Sequence, residues 1–456
     1  MRTFVLSKLH FGSESVYRWD GGAQPGRLGC QNPARGEAGR VRSPALLRCQ
    51  LHSRTRDSGY SKSERPPRAN LGLPLRTRAS ETVKQAQPDG YGSRLGDRND
   101  EFEAHTTNAA RGVPDGARNR IDVHAHYIPD FYREALIDAG LGAPDGIREL
   151  PAWDAETALK TMDKLQVGTA MLSISSPGVH LGDDKQASHL ARRVNEEAQR
   201  LRHRYPGRFG HLASLPLPNV EDAVAEAIYA FDVLGADGVV LETNANGIYL
   251  GDPKLEPLYA ELDQRHAVIL VHPTTPSGRC CERLDARYPQ PMLEFMFDST
   301  RSVSDMILSG VLERFPQLRV IVPHAGAALP VLMERVELLL PLLSTSAGDA
   351  PPSLRRAMRK LHFDLAGAPV PQQLGALLQV ADAGHLHYGS DYPFTPASAC
   401  VSLAQALQES PLLDEAARAG MWGRNALWLF PRLLKTGSTD VSSSSALALP
   451  TPAPPL

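Results

Sequence analysis

Between residues 119 and 435, short apolar runs alternate with longer segments whose apolar residues recur at helical spacing. Two of the longer segments, 154–165 and 219–234, begin at Asp154 and Asn219, residue types that cap helices. The apolar runs have strand length and lie at 121–126, 169–174, 209–215, 238–241, 267–271, 319–322, 361–365 and 386–389. Strands that alternate with helices predict a parallel sheet, and eight such units predict an α/β fold of the (β/α)8, TIM-barrel type.

An open, doubly wound sheet is the alternative arrangement of the same elements. That fold usually carries a glycine-rich phosphate loop after its first strand. Here the first strand is followed by His126-Tyr127-Ile128-Pro129, which has no glycine. The pattern therefore favours the barrel, with an inserted loop after strand one.

The two ends of the chain differ from this region. Residues 1–115 lack hydrophobic periodicity, and residues 1–80 hold 15 Lys and Arg against 5 Asp and Glu. Such a composition predicts a disordered arm, and a spurious extension of the reading frame fits it equally well. It also resembles an organelle targeting segment, but it lacks a clear amphipathic helix. Residues 436–456 are rich in Ser, Ala, Thr and Pro and predict a second disordered tail, so 119–435 is expected to be the only folded domain.

Composition and charge exclude several classes of protein but do not identify one. The net charge is −2 and no apolar run reaches the length of a membrane helix, so neither nucleic acid nor membrane is an expected partner. Five cysteines, with Cys280 and Cys281 adjacent, fit neither a disulfide framework nor a zinc knuckle. These features predict a cytoplasmic protein.

Metal-binding side chains stand where the predicted strands end. His124 and His126 close the first strand, where alternation should place them on one face and Val123 and Ala125 on the other. Alone, this pair is more typical of two ordinary histidines at the end of a strand. The ends of strands five, six and eight add His272, His324 and Asp391. Because active sites of such barrels lie at the carboxyl ends of the strands, the set predicts a metal site.

We expect His124, His126, His272 and Asp391 to hold one divalent ion, with zinc first by ligand type and manganese as its competitor. His324 is left as a general acid/base, because five protein ligands would leave no room for substrate. Asp391 is the second candidate for the proton transfer. No organic cofactor is expected.

Four motifs resemble those of the amidohydrolase superfamily, in its aminocarboxymuconate-semialdehyde decarboxylase branch. They are His124-x-His126, Val271-His272-Pro273, Pro323-His324-Ala325-Gly326 and Gly389-Ser390-Asp391-Tyr392-Pro393-Phe394. The resemblance covers about residues 119–430, and within the branch it is most similar to 6-methylsalicylate decarboxylases. The fourth strand ends in Glu242 and has no lysine, which disfavours the binuclear centre of other members. Glu242 is expected to be structural, as a salt-bridge partner, with a polar contact to the substrate as the alternative.

The resemblance also implies residues that contact the substrate. Arg335, eleven residues after His324, stands where members of the family place an arginine that reaches the partner subunit's active site, which implies a homodimer. Arg148, in the inserted loop, resembles the arginine that binds the substrate carboxylate, and Trp153, which follows it in the chain, is expected to contact the substrate as well. Arg335 could equally be a solvated helix residue.

The hypothesis is a metal-dependent carboxy-lyase that removes CO2 from a small aromatic acid, a 2-hydroxybenzoate similar to 6-methylsalicylate. Such an acid offers the metal two hard oxygens, and a proton from His324 or Asp391 would replace the carboxylate on the ring. One alternative is hydrolysis of a lactone or an amide on the same ligands. Another is a non-catalytic binding protein.

Overall fold

The computed structural model describes residues 120–277, 288–343 and 352–436. The predictions made for residues 1–115, for the Cys280-Cys281 pair and for the tail beyond residue 436 lie outside the described residues. In the described part of the chain, no helix is both long enough and apolar enough to cross a membrane.

Eight parallel strands form one sheet whose spatial order follows their order in the chain. Each strand coincides with one of the eight predicted apolar runs, within two residues at either end. The strands are Arg120–His126 (β1), Val167–Ser173 (β2), Phe209–Ser214 (β3), Gly238–Glu242 (β4), Val268–His272 (β5), Arg319–Val322 (β6), His362–Asp364 (β7) and Leu386–His387 (β8).

The sheet closes on itself, because the segment that begins with β8 pairs in parallel with β1. The backbone N–H of Val123 donates to Tyr388 O at 2.9 Å, and that of His126 donates to Tyr392 O at 2.8 Å. Closure removes the free edges that an open doubly wound sheet would have. The predicted (β/α)8 barrel is confirmed.

Helices cover the outside of the barrel, and the two predicted N-caps are confirmed. Asp154 accepts a hydrogen bond from the Thr157 N–H, and Asn219 accepts one from the Asp222 N–H. The helices of the described residues are Asp130–Asp138, Ala155–Lys164, Asp184–Arg204, Val220–Asp232, Glu256–Gln264, Glu294–Leu308, Val311–Arg314, Leu329–Leu343, Leu354–Met358, Gln372–Leu377, Ala397–Glu409, Glu415–Ala419, Asn425–Leu429 and Leu433–Thr436. The insertion between β1 and β2 holds the first two, with the 3₁₀ turn Pro144–Gly146 between them.

One feature of β1 differs from the prediction. Asp122 pairs with Ala170 and Ala125 pairs with Leu172, so β1 has one residue more than β2 between these pairs. This β-bulge breaks strict alternation: Val123 packs in the barrel interior, whereas Ala125 packs in the layer between strands and helices. The prediction that Val123 and Ala125 share one face is therefore wrong.

Candidate metal centre

Four side chains converge at the carboxyl ends of the strands. His124 and His126 come from the end of β1, His272 closes β5, and Asp391 lies just beyond β8. One donor atom from each lies within 4.8 Å of all the others. His126 Nε2 is 3.1 Å from both His124 Nε2 and Asp391 Oδ1. The four donors therefore surround a space of the size that one ion fills.

The imidazoles of β1 are fixed through their second ring nitrogens. His124 Nδ1 is 2.9 Å from Asp364 Oδ2, and His126 Nδ1 is 3.0 Å from Ser173 Oγ. When Nδ1 donates to such an acceptor, the Nε2 lone pair is free for a metal. Both rings are fully buried, and this arrangement orients their Nε2 atoms towards the common centre.

Glu242 holds the third imidazole, since its Oε2 is 3.3 Å from His272 Nδ1. This contact agrees with the structural role expected for Glu242, and it orients a ligand. Burial alone would lower the pKa of His272, but the charge and hydrogen bond of Glu242 outweigh burial and raise it. Burial raises the pKa of Glu242 itself.

The protonation states of two donors suit a cation. Burial, together with the neighbouring imidazoles, lowers the pKa of His126 to about 3, so that ring is neutral at physiological pH. Burial would raise the pKa of Asp391, but the imidazoles of His126, His324 and His124 outweigh burial and hold it well below its usual range. A neutral imidazole and an ionised carboxylate are the forms in which these side chains bind metals. The residues therefore fit one divalent ion.

His324 lies beside the four donors but outside the set. It follows β6, its Nε2 is 3.9 Å from Asp391 Oδ2, and its Nδ1 is buried with no protein partner among the described residues. Its backbone N–H donates to Asp364 Oδ1 at 3.0 Å. His324 and Asp391 adopt positive φ angles of 54° and 58°, a strained conformation for residues with side chains. Strain at two neighbouring polar residues is typical of an active site.

Gly389 allows the first and last strands to approach each other at the centre. A Cβ atom at this position would lie 2.9 Å from the Cβ of His124 and 3.2 Å from that of Asp364. Contacts this short would displace a metal ligand and the side chain that orients it. This close approach explains why glycine begins the Gly-Ser-Asp-Tyr-Pro-Phe motif.

A cavity of about 800 Å³ opens onto the centre. His272, His324 and Asp391 form its floor, and its walls are mainly apolar. The larger apolar wall residues include Ile147, Pro151, Pro291, Met292, Phe295, Met296, Pro393 and Phe394, and two acidic residues, Asp145 and Glu149, also line the wall. No lysine or arginine lines the cavity in the part of the chain that the structure describes. A flat apolar molecule with one anionic group fits such a site, with its anionic group at the floor.

The three other predicted site residues lie away from this cavity. Arg148 is exposed, although its neighbours Ile147 and Glu149 line the wall. Trp153 is partly buried and packs edge-on against Tyr127, with ring centroids 6.1 Å apart. Arg335 is exposed on the helix Leu329–Leu343. The structure does not bring these residues to the four donors, and their roles stay predictions.

Sequence reasoning missed Asp364, Ser173 and Asp122. Asp364 and Ser173 end β7 and β2, so the strand-end pattern that identified the ligands marks them equally. Asp122 is buried and accepts hydrogen bonds from the backbone N–H groups of His124 and Ser390, at 3.1 and 3.0 Å. Burial raises the pKa of Asp122 to about 7. No sequence signal distinguishes Asp122 from an ordinary strand residue.

A closed (β/α)8 barrel with three histidines and one aspartate converging at its carboxyl mouth defines a metal-dependent barrel enzyme. The family model described as Amidohydrolase matches residues 121–432 of the chain. The chain belongs to the amidohydrolase family. The resemblance inferred from its motifs is confirmed.

Within the amidohydrolase family, the chain is similar to two curated decarboxylases. The chain is 36% identical over 318 residues to 6-methylsalicylic acid decarboxylase of Penicillium expansum, covering 69% of this chain and 97% of the relative. It is 35% identical over 330 residues to 6-methylsalicylic acid decarboxylase acuB of Aspergillus aculeatus, covering 71% and 99%. Nearly the whole length of each relative is thus represented here.

Solved structures agree on the fold. The crystal structure of an amidohydrolase II protein superposes with a TM-score of 0.65 at 36% identity, covering 68% of this chain and 99% of the other. That of 5-carboxyvanillate decarboxylase from Sphingomonas paucimobilis superposes with a TM-score of 0.62 at 21% identity, covering 69% and 99%. At 21% identity, the second likeness concerns the fold alone.

Proposed function

We propose that the protein is a metal-dependent carboxy-lyase that removes CO2, without oxidation, from a small aromatic acid of the 2-hydroxybenzoate type, similar to 6-methylsalicylate. The observation that carries this proposal is the apolar cavity whose floor is the four-donor centre and His324. The two relatives named as 6-methylsalicylic acid decarboxylases, each about a third identical to this chain, support the same substrate class.

The cavity determines how the substrate would be oriented. Its lining holds no lysine or arginine among the described residues, so no cationic side chain of that described lining neutralises the substrate carboxylate. The bound metal would supply that charge, accepting carboxylate and phenol oxygens and stabilising negative charge on them. Phe295 and Phe394 would pack against the ring and exclude water from it. Arg148 and Trp153 are kept as proposed substrate contacts from the inserted loop.

His324 and Asp391 would deliver the proton. One oxygen of Asp391 faces the ligand His126 at 3.1 Å, and the other faces His324 Nε2 at 3.9 Å. Because the pKa of Asp391 is held well below its usual range, this carboxylate is ionised and has no proton of its own to donate. The proton therefore comes from His324, directly or through Asp391. Its addition to the ring carbon that bears the carboxylate breaks aromaticity, and loss of CO2 restores it.

The test is CO2 release from a panel of hydroxybenzoates by the metal-loaded protein and by His324→Gln. We expect the variant to keep its metal and its fold and to lose at least about a hundredfold in kcat, the contribution of a general acid. Lactones and amides in the same panel test the alternative, hydrolysis. Ring opening without CO2 release would replace the proposal, and CO2 release by His324→Gln at the normal rate would refute the role of His324.

The identity of the ion is proposed as zinc, with manganese as the competitor. Three imidazoles and one carboxylate favour zinc by ligand type. Two structural neighbours, a dihydroxybenzoic acid decarboxylase from Polaromonas and a 5-carboxyvanillate decarboxylase from Novosphingobium, carry bound manganese. Elemental analysis of the purified protein, followed by activity after reloading with each ion, distinguishes the two. No organic cofactor is proposed.

We further propose a homodimer in which Arg335 reaches the partner's active site. On the helix Leu329–Leu343, Arg335 lies in one stripe with Val331, Leu338 and Leu342, spaced three or four residues apart. These three apolar side chains are 67 to 71% exposed, which supports a contact surface. Mixing inactive Arg335→Ala with inactive His324→Gln should restore about a quarter of the activity, because half the dimers are mixed and one of their two sites is intact.

No recovery on mixing, or a monomeric mass in light scattering, would contradict the dimer. The cytoplasmic compartment also stays a proposal, and cell fractionation tests it.

A further inference from the structure

A second cavity, of about 340 Å³, lies at the opposite end of the barrel from the metal centre. Three neighbouring strands begin there. Arg319 is the first residue of β6, His362 is the first of β7, and His385 directly precedes β8. Because the strands are parallel, these starting residues meet at the amino end of the barrel. None of them takes part in the proposed reaction.

The lining of this cavity is cationic and contains no carboxylate. Arg359 and Lys360, on the loop that leads into β7, join Arg319, His362 and His385 in the wall. Among the residues that the structure describes, Arg319, Arg359 and Lys360 form no ion pair with an acidic side chain within 4.0 Å, and no Asp or Glu lines the cavity. Arginines elsewhere in the fold are commonly paired, as Arg265 is with Asp232 and Glu261.

His362 is the buried polar group of this cavity. His362 is 3% exposed, and its Nδ1 is 2.9 Å from His387 Nε2. The His385 ring lies 4.3 Å from the His362 ring, and the Arg319 guanidinium lies 4.4 Å from the centre of the Trp428 ring. The His362 Nδ1 atom is engaged with His387, and Nε2 forms no hydrogen bond with another described residue.

The side chains that act electrostatically on His362 are all basic. Burial lowers the pKa of His362 well below its usual range, and His387, His385 and Arg319 lower it further. Burial also lowers the pKa of Arg319, with no carboxylate opposing it. The charged groups of the cavity are therefore Arg319, Arg359 and Lys360. Like charges in a partly enclosed space destabilise one another, and a bound anion removes that penalty. The described lining of the cavity has no acidic side chain that would balance these charges.

We propose that this cavity is an anion-binding site for a phosphate group, either inorganic phosphate or the phosphate of a small organic molecule. One nitrogen of the Arg319 guanidinium donates to Trp428 O at 3.4 Å, its other N–H groups are left for an anion, and Lys360 and Arg359 add charge at the rim. The apolar wall formed by Leu312 and Phe315 leaves room beside the phosphate for a small organic group. The site is independent of the proposed decarboxylation.

The experiment is calorimetric titration of the metal-loaded, full-length protein at fixed ionic strength, with inorganic phosphate and with phenyl phosphate. Arg319→Gln removes the guanidinium donors, and Lys360→Gln removes an exposed charge whose loss leaves packing intact. Arg356→Gln is the matched control, because Arg356 is exposed on the helix Leu354–Met358 and does not line the cavity. We expect saturable binding to the parent and the control, weakened about tenfold or more in Arg319→Gln and measurably in Lys360→Gln.

Tighter binding of phenyl phosphate than of phosphate would identify a phosphorylated small molecule as the ligand class, and equal binding would identify free phosphate. Phosphate bound at the metal centre would be unaffected by these variants. Equal affinities in the parent, Lys360→Gln and Arg356→Gln would therefore overturn the proposal, as would the absence of saturable binding by the parent. Decarboxylase activity should be the same in all four proteins.

Discussion

Asp364 connects the metal centre to the proposed acid/base residue, and its replacement by asparagine should weaken metal binding. Its Oδ2 is 2.9 Å from His124 Nδ1, whereas its Oδ1 accepts the backbone N–H groups of His324 and Ala366 at 3.0 and 3.1 Å. Burial would raise the pKa of Asp364, but the charge and hydrogen bond of His124 outweigh burial and lower it. The carboxylate is therefore a permanent acceptor for both neighbours.

The magnitude follows from the hydrogen-bond geometry. An asparagine at this position has only one acceptor oxygen. The backbone N–H groups of His324 and Ala366 would keep that oxygen where Oδ1 now lies. Its NH2 group then faces His124 Nδ1 and donates to it, so the proton of the imidazole moves to Nε2. A protonated Nε2 cannot bind a metal. We expect a loss of 10- to 100-fold in metal affinity, or about 1.4 to 2.7 kcal/mol.

Glu242→Gln is the matched control, because it also turns a carboxylate that orients a ligand into an amide. The Glu242 carboxylate makes its 3.3 Å contact with His272 and no other hydrogen bond among the described residues. The glutamine can therefore rotate and present its oxygen to His272 Nδ1, and we expect a loss of less than about tenfold.

Metal affinity is measured by competition with a chelator, and kcat is measured at saturating metal. Saturation should restore most of the kcat of Asp364→Asn, because His324 and Asp391 are unchanged. Two results would refute the conclusion that Asp364→Asn moves the His124 proton to Nε2. One is a metal affinity of Asp364→Asn within twofold of the parent, and the other is an equal loss of metal affinity in Glu242→Gln.

Three further outcomes are expected. Chelation should abolish activity and leave the far-ultraviolet circular dichroism unchanged, because apolar packing holds the barrel; loss of the spectrum would contradict this. Burial lowers the pKa of His211 and His387 from 6.5 to about 3. Between these two pH values the histidines are therefore neutral in the folded protein and become protonated only when it unfolds. From pH 7.5 to 5.5, denaturant titration should show the unfolding free energy falling by about 1.4 kcal/mol per histidine, and a constant value would refute it. Asp154→Ala should cost about 1 kcal/mol in the same titration, because the Thr157 N–H loses its cap.

The fold could be predicted from the chain because its elements are local. Strand-length apolar runs and helix caps such as Asp154 and Asn219 depend on neighbours a few residues away, and all eight strands are where the pattern placed them. The interruption in β1 was not predictable. A bulge depends on which residue of β2 lies opposite Val123, and this register belongs to the pair of strands.

The ligand set could be predicted because a parallel barrel gathers its carboxyl strand ends at one mouth. His124, His126, His272 and Asp391 each follow an apolar run, and the structure brings them within 4.8 Å of one another. The side chains that orient them were missed, although Asp364 and Ser173 also end strands. Their partners are 240 and 47 residues away along the chain, so only the folded distances identify them.

Sequence alone thus determined the barrel, its strand order and the chemistry of its carboxyl mouth, because periodicity and strand ends are properties of local sequence. Tertiary structure decided which nitrogen of each imidazole faces the metal and where the two oxygens of Asp391 point. It also placed Arg319, His362 and His385 around a second cavity, at the amino ends of strands that are adjacent only after folding. Such groupings depend on distances between segments far apart in the chain, which no local pattern encodes.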